Sequence, residues 1–285
     1  MNMKGARSSR LILCVFLGVL GDLVGGCSPA PKPTPKAVPV KTPPPVQETV
    51  SYLPEDKGVH GYLCRPGGVG PFPAVVLIHD SLGLTEGVKD AAFRLAQQEY
   101  VVLAVDLYRG RVAKTKEDAE RLERELPKER ALRDLKAAVD YLCSRDEVRP
   151  EQVVGQTQLS RVLGAIGLGM GGRFALEAAL RDPRFRALVL CYCPLPTEPK
   201  LLATLKASVF GIFAGRDKSV SSERIAQFST AMNEASKQLY ALRVYGECPY
   251  GFLDSAAWPL YGKPAEEDFA EAWDLIARFL DRIMM

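Results

Sequence analysis

The residues of this 285-residue chain that could do chemistry fall in three stretches. The first is Ala165-Ile166-Gly167-Leu168-Gly169-Met170-Gly171-Gly172-Arg173, an apolar run entering a glycine-dense turn, followed by the helix-like Phe174 to Leu180. A strand that turns this sharply into a helix lifts its central side chain above a parallel sheet, the arrangement that presents a nucleophile to a carbonyl carbon. The central residue here is Gly169, so the frame is present without an attacking group. The second is Asp217, directly after the apolar run Ser208 to Gly215, where the acid of a nucleophile–base–acid system belongs. The third is Tyr245-Gly246-Glu247-Cys248-Pro249-Tyr250-Gly251-Phe252, the place for the base, and it holds no histidine. Tyrosine, with a reference pKa of about 10, is a poor base at neutral pH. A displaced nucleophile is the rival reading, with Ser81 beside Asp80 or Cys248 beside Tyr250. Either would need a base, and the chain's two histidines are His60 and His79. His79 reads as support for the loop after its strand, and His60 as a surface or edge-strand residue.

The elements around these stretches alternate. Strands are expected over His60–Arg65, Pro73–His79, Val101–Leu107, Arg161–Gly167, Ala187–Cys193, Ser208–Gly215 and Leu239–Tyr245, several of them unbroken apolar runs that suit burial on both faces of a sheet. Between them, Val88, Ala91, Ala92, Leu95 and Ala96 fall on one face of a helix, as do Leu135, Ala138, Val139 and Leu142, and Phe269, Trp273, Ile276, Leu280 and Ile283. A further helix follows Ser221 or Ser222. The charged stretch from Gly110 to Asp134 reads as a solvated helical face. Such alternation predicts an α/β domain: a mostly parallel sheet with helices on both faces, running from about residue 49 to 285 without internal repeats.

The amino terminus carries Lys4, Arg7 and Arg10, then the apolar run Leu11 to Leu20, and ends Leu23-Val24-Gly25-Gly26-Cys27. That is the pattern of a signal sequence over residues 1–26. It resembles a bacterial lipobox, which would make Cys27 the lipidated first residue; a plain signal peptide with an incidental cysteine is the alternative. Prolines crowd the segment that follows to residue 48, a semi-rigid polyproline spacer. These features predict an exported protein lipid-anchored to a bacterial membrane and facing outside the cytoplasm, in the cell envelope. The formal net charge of +3 is concentrated in this leader, so the folded part has no basic footprint for nucleic acid. Cys64, Cys143, Cys191 and Cys193 read as small buried hydrophobes, and no cysteine pair has zinc-site spacing. No metal or cofactor is expected.

An ordered set of landmarks carries a resemblance: Gly61-Tyr62-Leu63, Pro73 to Asp80, Gly83-Leu84, Lys89-Asp90, Arg94-Leu95-Ala96, Asp106-Leu107-Tyr108 with Arg109-Gly110, the glycine-rich turn, and Tyr250-Gly251-Phe252. Together they resemble the dienelactone hydrolase family over nearly all of residues 55–285, which implies the α/β-hydrolase fold and action on carboxylic esters or lactones. The resemblance puts the family's nucleophile on Gly169, its triad aspartate on Asp217 and its histidine on Tyr250. The oxyanion-binding amides fall on Ser81 and Met170, the acidic residue after the first core strand on Asp80, and the arginine that holds a substrate carboxylate on Arg109 or Arg111. Solvent-exposed arginines beside a charged helix are the alternative for that last pair. The expectation is a hydrolase-like protein that has lost the triad and binds a small molecule at the same place, an anionic one where either arginine points inward.

Overall fold

The computed structural model describes residues 43–152, 159–161, 163–236 and 240–285. The signal sequence, Cys27 and the spacer up to residue 42 lie outside the described residues. Val75 and Leu77 of β3 (Ala74–Ile78) belong to one hydrophobic cluster, and Ala74, Val76 and Ile78 to the other, because successive side chains of a strand point to opposite faces. Continuous apolar runs therefore become strands that separate two cores.

Around β3, the described chain forms an eight-stranded sheet in the order β1-β2-β4-β3-β7-β8-β9-β10. Its strands are β1 (Val46–Ser51), β2 (His60–Arg65), β3, β4 (Val101–Val105), β7 (Leu163–Leu168), β8 (Phe185–Cys191), β9 (Ser208–Ala214) and β10 (Tyr240–Tyr245). From β4 to β10 neighbouring strands run parallel; β1 and β2 are antiparallel. A separate two-stranded ladder joins β5 (Pro150–Gln152) to β6 (Leu159–Arg161). One face is covered by α1 (Glu86–Ala96) and α8 (Glu266–Met284), which contribute Val88, Leu95, Trp273, Ile276 and Leu280. The other is covered by α3 (Lys128–Cys143), α4 (Met170–Arg181) and α6 (Ser222–Glu234), through Leu135, Val139, Phe174 and Phe228. Three further helices are α2 (Lys116–Glu125), α5 (Pro199–Leu202) and α7 (Trp258–Tyr261). Strand order reverses at β3, whose neighbours are β4 and β7, and loops at such a switch point form the natural crevice of a parallel sheet.

Two expectations need correction. The spacer does not run to residue 48, because β1 begins at Val46, directly after the last proline, and pairs residue by residue with β2. Nor is the whole charged stretch a solvated face. Asp134 on α3 is fully buried, holding Arg109 at 2.9 Å and Arg133 at 2.8 Å. Asp56 binds the same two guanidiniums at 3.2 and 2.8 Å, and Arg130 donates to the Leu107 carbonyl at 3.2 Å. This network ties α3 to the loop after β4. Removing one partner of a buried pair leaves the other charge uncompensated, so Asp134→Ala should lower the unfolding free energy by about 3 kcal/mol in urea titration. An unchanged midpoint would mean that the network contributes nothing to stability.

Candidate active site

The loops after β3, β7, β8 and β10 meet beside the switch point. β7 ends at Leu168, and Gly169 then takes φ 51° and ψ −120°, a region that residues bearing a Cβ rarely adopt. Its N–H donates to the Cys191 carbonyl at 2.9 Å and its carbonyl accepts from Gly172 N–H at 3.0 Å. A Cβ on Gly171 would press into the carbonyls of Ile78 and His79, so the first turn of α4 lies directly on the end of β3. Met170 heads that turn, where an α-helix leaves its N–H groups without intrahelical acceptors.

Tyr250 faces Gly169. A Cβ on Gly169 would overlap the Tyr250 hydroxyl and lie 3.0 Å from the Asp80 Cβ. The phenol therefore fills the room into which a side chain at 169 would project. Tyr250 is half-buried; its ring meets Tyr192 at 5.2 Å between centroids and Tyr261 at 4.8 Å. Beneath it Tyr192 and Tyr108 are buried, and Tyr108 directs its hydroxyl to Met170 Sδ at 3.3 Å. Burial pushes the Tyr250 and Tyr192 hydroxyls well above the usual phenol range; the Asp80 carboxyl adds to this, and the Ser81 hydroxyl opposes it at Tyr250. Hydroxyls shifted this way donate hydrogen bonds at neutral pH and do not serve as bases.

Asp80 is the floor of the site. Its Oδ1 accepts from Leu82 N–H at 2.8 Å, while Oδ2 is buried without a hydrogen-bond partner among the described residues. Burial, then the Asp254 carboxyl, then Glu123 push its pKa up to about 8, against the single lowering contact from Leu82 N–H. Asp254 is itself raised by burial, and accepts from Thr85 Oγ1 at 2.8 Å and Ala256 N–H at 2.9 Å. His79 is the support the sequence suggested. Leu107 N–H donates to Nε2 at 3.1 Å, which leaves the proton on Nδ1 to donate to the Asp80 carbonyl at 2.6 Å. Burial holds this imidazole below its usual pKa, so it stays neutral. Asp217 follows β9; its Oδ1 accepts from Ser219 N–H at 2.8 Å, and its Oδ2 has no partner among the described residues.

A family model described as "Dienelactone hydrolase family" matches residues 59–284. The chain belongs to the dienelactone hydrolase family. It is similar to a candidate carboxymethylenebutenolidase of Methylorubrum extorquens, 26% identical over 239 aligned residues that cover 79% of this chain and 78% of that protein. A probable 2-oxo-3-(5-oxofuran-2-ylidene)propanoate lactonase of Bradyrhizobium is 28% identical, with coverage of 72% and 85%. Among solved structures, a candidate dienelactone hydrolase from Klebsiella pneumoniae superposes with a TM-score of 0.68 at 21% identity, over 84% of this chain and 99% of that one. A dienelactone-hydrolase-like promiscuous phosphotriesterase from metagenomic libraries gives 0.70 at 21%, over 85% and 99%. These neighbours share the α/β-hydrolase fold.

Within this family frame, the structure brings Gly169, Tyr250, Asp80, Ser81 and Met170 into one cluster. Arg109 gives its Nη2 to Asp134 and Asp56, while its Nη1 is buried without a hydrogen-bond partner among the described residues. Arg111 likewise pairs with Glu125 at 2.8 Å and donates to the Tyr108 carbonyl at 3.3 Å. Neither candidate for a displaced nucleophile is hydrogen-bonded to a histidine among the described residues. Cys248 is buried, its thiol directed at Asp268 Oδ2 at 3.5 Å, and burial followed by that carboxylate pushes its pKa up to about 12. Ser81 lies beside Tyr250, but both nitrogens of His79 are occupied and no hydrogen bond joins His60 to Ser81 among the described residues. A cavity of about 720 Å³ lies across the loop after β3, lined in part by His60, Tyr62, Leu84, Lys89 and Arg109; Gly169, Asp217 and Tyr250 are not among its lining residues. Among the described residues, no cluster of His, Cys, Asp or Glu side chains has the arrangement to hold a metal.

Sequence reading missed Tyr108, Tyr192, Tyr261 and Asp254. Tyr192 stands between two cysteines at the end of a strand, and Asp254 shares the loop of Tyr250; both positions were open to notice. The raised Asp80 gives a pH test. A carboxyl whose folded pKa lies above its unfolded value favours the folded state most below about pH 4, and that contribution is lost as pH rises through the folded value near 8. Asp80→Asn keeps the acceptor for Leu82 and cannot ionise. Its unfolding free energy should therefore fall less than that of the wild type across that interval, as followed by denaturant titration at each pH; parallel curves would refute the burial of an ionisable Asp80.

Proposed function

We propose that this family member is an exported lipoprotein whose elbow binds a small molecule instead of running triad hydrolysis. The observation that carries the reading is the Tyr250 hydroxyl standing where a nucleophile's side chain would project from position 169. A catalytic elbow needs an attacking group and a neighbouring base to take its proton. This elbow has neither: Gly169 offers no side chain, and Tyr250 and Asp80 are held in their protonated forms by burial. Its remaining resources are hydrogen-bond donors and aromatic walls, which suit recognition. The names of the relatives above point to lactones and enol-type esters as the class from which such a ligand descends. Membrane attachment rests on the sequence through Cys27; no described helix is long and apolar enough to cross a membrane.

Restoring the two missing groups tests the reading. Gly169→Cys alone should be inactive and destabilised, because a non-glycine residue at this φ costs about 1–3 kcal/mol and its Cβ overlaps Tyr250. Gly169→Cys with Tyr250→His removes the overlap with the Tyr250 hydroxyl and restores, with Asp217, the residue types that the family resemblance assigns to the three triad positions. The double variant should hydrolyse 4-nitrophenyl acetate well above the wild-type rate. Efficient turnover by the wild type, or none by a folded double variant, would overturn the proposal. The anchor is tested separately: growth with an alkyne-tagged fatty acid should label the wild type in the membrane fraction, and Cys27→Ala should abolish both label and membrane retention.

A further inference from the structure

All residues of α2 but Ala119 and Leu122 are charged, and these two are buried, with Leu126, in the cluster that holds Tyr108, Met170 and Phe174. Its polar attachments lie on two sides of the elbow. At its start Lys116 Nζ stands 4.7 Å from the centre of the Tyr261 ring, which is itself 4.8 Å from the Tyr250 ring. Further along, Glu123 reaches Arg173, in the first turn of α4, at 3.9 Å, and Glu125 reaches Arg111 at 2.8 Å. The Tyr250 loop and the residue that precedes α4, Gly169, stand between these attachments. The charge of Glu123 also acts on Asp80, Tyr108 and Tyr250. Beneath, Met170 is 4% exposed. The cavity beside the loop after β3 is lined by neither Gly169 nor Tyr250, and so does not supply a way in.

These attachments are weak where those of α3 are strong. The side chains of Arg111, Glu125, Arg173 and Glu123 are all more than one-third exposed, and exposed ion pairs contribute little. α3 instead buries Asp134 with its arginines and a longer apolar stripe. The chain is pinned on each side of α2: Ala113 N–H donates to the Leu82 carbonyl at 2.9 Å, and Arg130, in the first turn of α3, to the Leu107 carbonyl at 3.2 Å. Inside each pin is a non-helical joint. Thr115 takes φ −131° and ψ 166°, and Leu126 and Pro127 take ψ 108° and 127°. The second joint is written in the sequence, since a proline holds the residue before it out of the helical region.

We infer that α2 is a hinged cover over the elbow. It swings as a unit about Thr115 and the Leu126–Pro127 joint, withdraws Ala119 and Leu122 from the cluster around Tyr108 and Met170, and opens the way to Tyr250 and Gly169. This goes beyond the binding reading, because a molecule has to pass the cover whatever then happens at position 169.

The test uses the methionine under the cover. Hydrogen peroxide oxidises a thioether to the sulfoxide, with water as the other product, where the sulfur is exposed. The purified full chain is treated with dilute peroxide, and Met170 is followed by peptide mass mapping against Met232, which is 1% exposed on α6. Met170 should oxidise faster, at a rate nearly independent of urea below the unfolding transition, while the Met232 rate climbs with urea as global unfolding does. Amide exchange should show the same contrast between α2 and α3. Leu122→Ala should raise both Met170 oxidation and α2 exchange by at least about thirtyfold, the effect of losing a buried leucine side chain. Leu122→Ile should return both most of the way to wild type. Glu125→Gln, which loses the ion pair with Arg111, should raise both about twofold. One rate and one urea slope for Met170 and Met232, or α2 amides that exchange only together with those of α3, would overturn the inference. Faster oxidation in Leu122→Ala without faster α2 exchange would also overturn it, because that pattern marks a static gap. Should Leu122→Ala not fold, the wild-type slopes and Glu125→Gln decide. No ligand or ester enters these measurements, so their failure leaves the binding reading standing, and ester turnover by the wild type would remove that reading and leave the cover.

Discussion

A helix that begins one residue beyond a buried strand, with its first turn pressed on the end of the neighbouring strand, leaves room for little beyond backbone. That is the constraint at Leu168 to Gly172. The carbonyls of Ile78 and His79 limit what α4 can carry at Gly171, and the Cys191 carbonyl holds Gly169 N–H from the other side. The conformation at Gly169 is imposed by these neighbours and not by residue 169 itself. Where such a position bears a side chain, the strain is sustained by surrounding packing. With glycine the strain disappears, yet the packing that enforces the turn remains. The frame of an elbow can therefore outlast the group it was shaped to present.

The same crowding sets the chemistry of what lies around it. Asp80 ends the loop side of β3 and is sealed beneath the tyrosines, so ionising it would place a charge beside Asp254 and Glu123 with one backbone N–H in compensation. His79 could have supplied a base, but its two nitrogens are spent on Leu107 and on the Asp80 carbonyl, where the ring braces the loops after β3 and β4 against each other. Burial thus displaces Asp80, Tyr192 and Tyr250 toward their protonated forms. A hydrolytic site needs at least one group that has given its proton up. On the reading proposed above, the electrostatic character is that of a donor array, which suits recognition of an oxygen atom.

Much of the architecture was legible because strands buried on both faces read as unbroken apolar runs, and because α1, α3 and α8 carry their apolar residues at helical spacing. β1 was not legible: it is an exposed edge strand of mixed polarity, and the prolines before it drew the boundary too late. Asp134 was misread for a related reason. Inside a charge-dense helix nothing in the local pattern distinguishes the one carboxylate that turns inward, since its burial depends on Arg109 arriving from a loop distant in sequence. The order Gly169, Asp217, Tyr250 was visible along the chain, but that Tyr250 fills the space of a side chain at 169 depends on the path of the loop after β10. Tyr192 and Asp80 acquire their meaning from what fails to meet them, which no spacing rule records.

Of the three positions that the family frame assigns to a triad, the one that keeps its expected residue also has a second task. Asp217 Oδ1 accepts from Ser219 N–H and so closes the turn leaving β9, work that any substitution lacking an acceptor would forfeit. Its other oxygen, the one free to orient an imidazole, is the oxygen left without a partner. A nucleophile and a base at positions 169 and 250 would be coupled to each other and to the substrate, and the turn at 169 would be easier to form without a side chain. If the elbow binds without turnover, as proposed, physical pressure acts differently on the three: it favours glycine at 169, accepts at 250 any side chain that fills the opened room, and retains the aspartate whose turn still depends on it. The set of Gly169, Tyr250 and Asp217 is the one that such unequal pressure would leave.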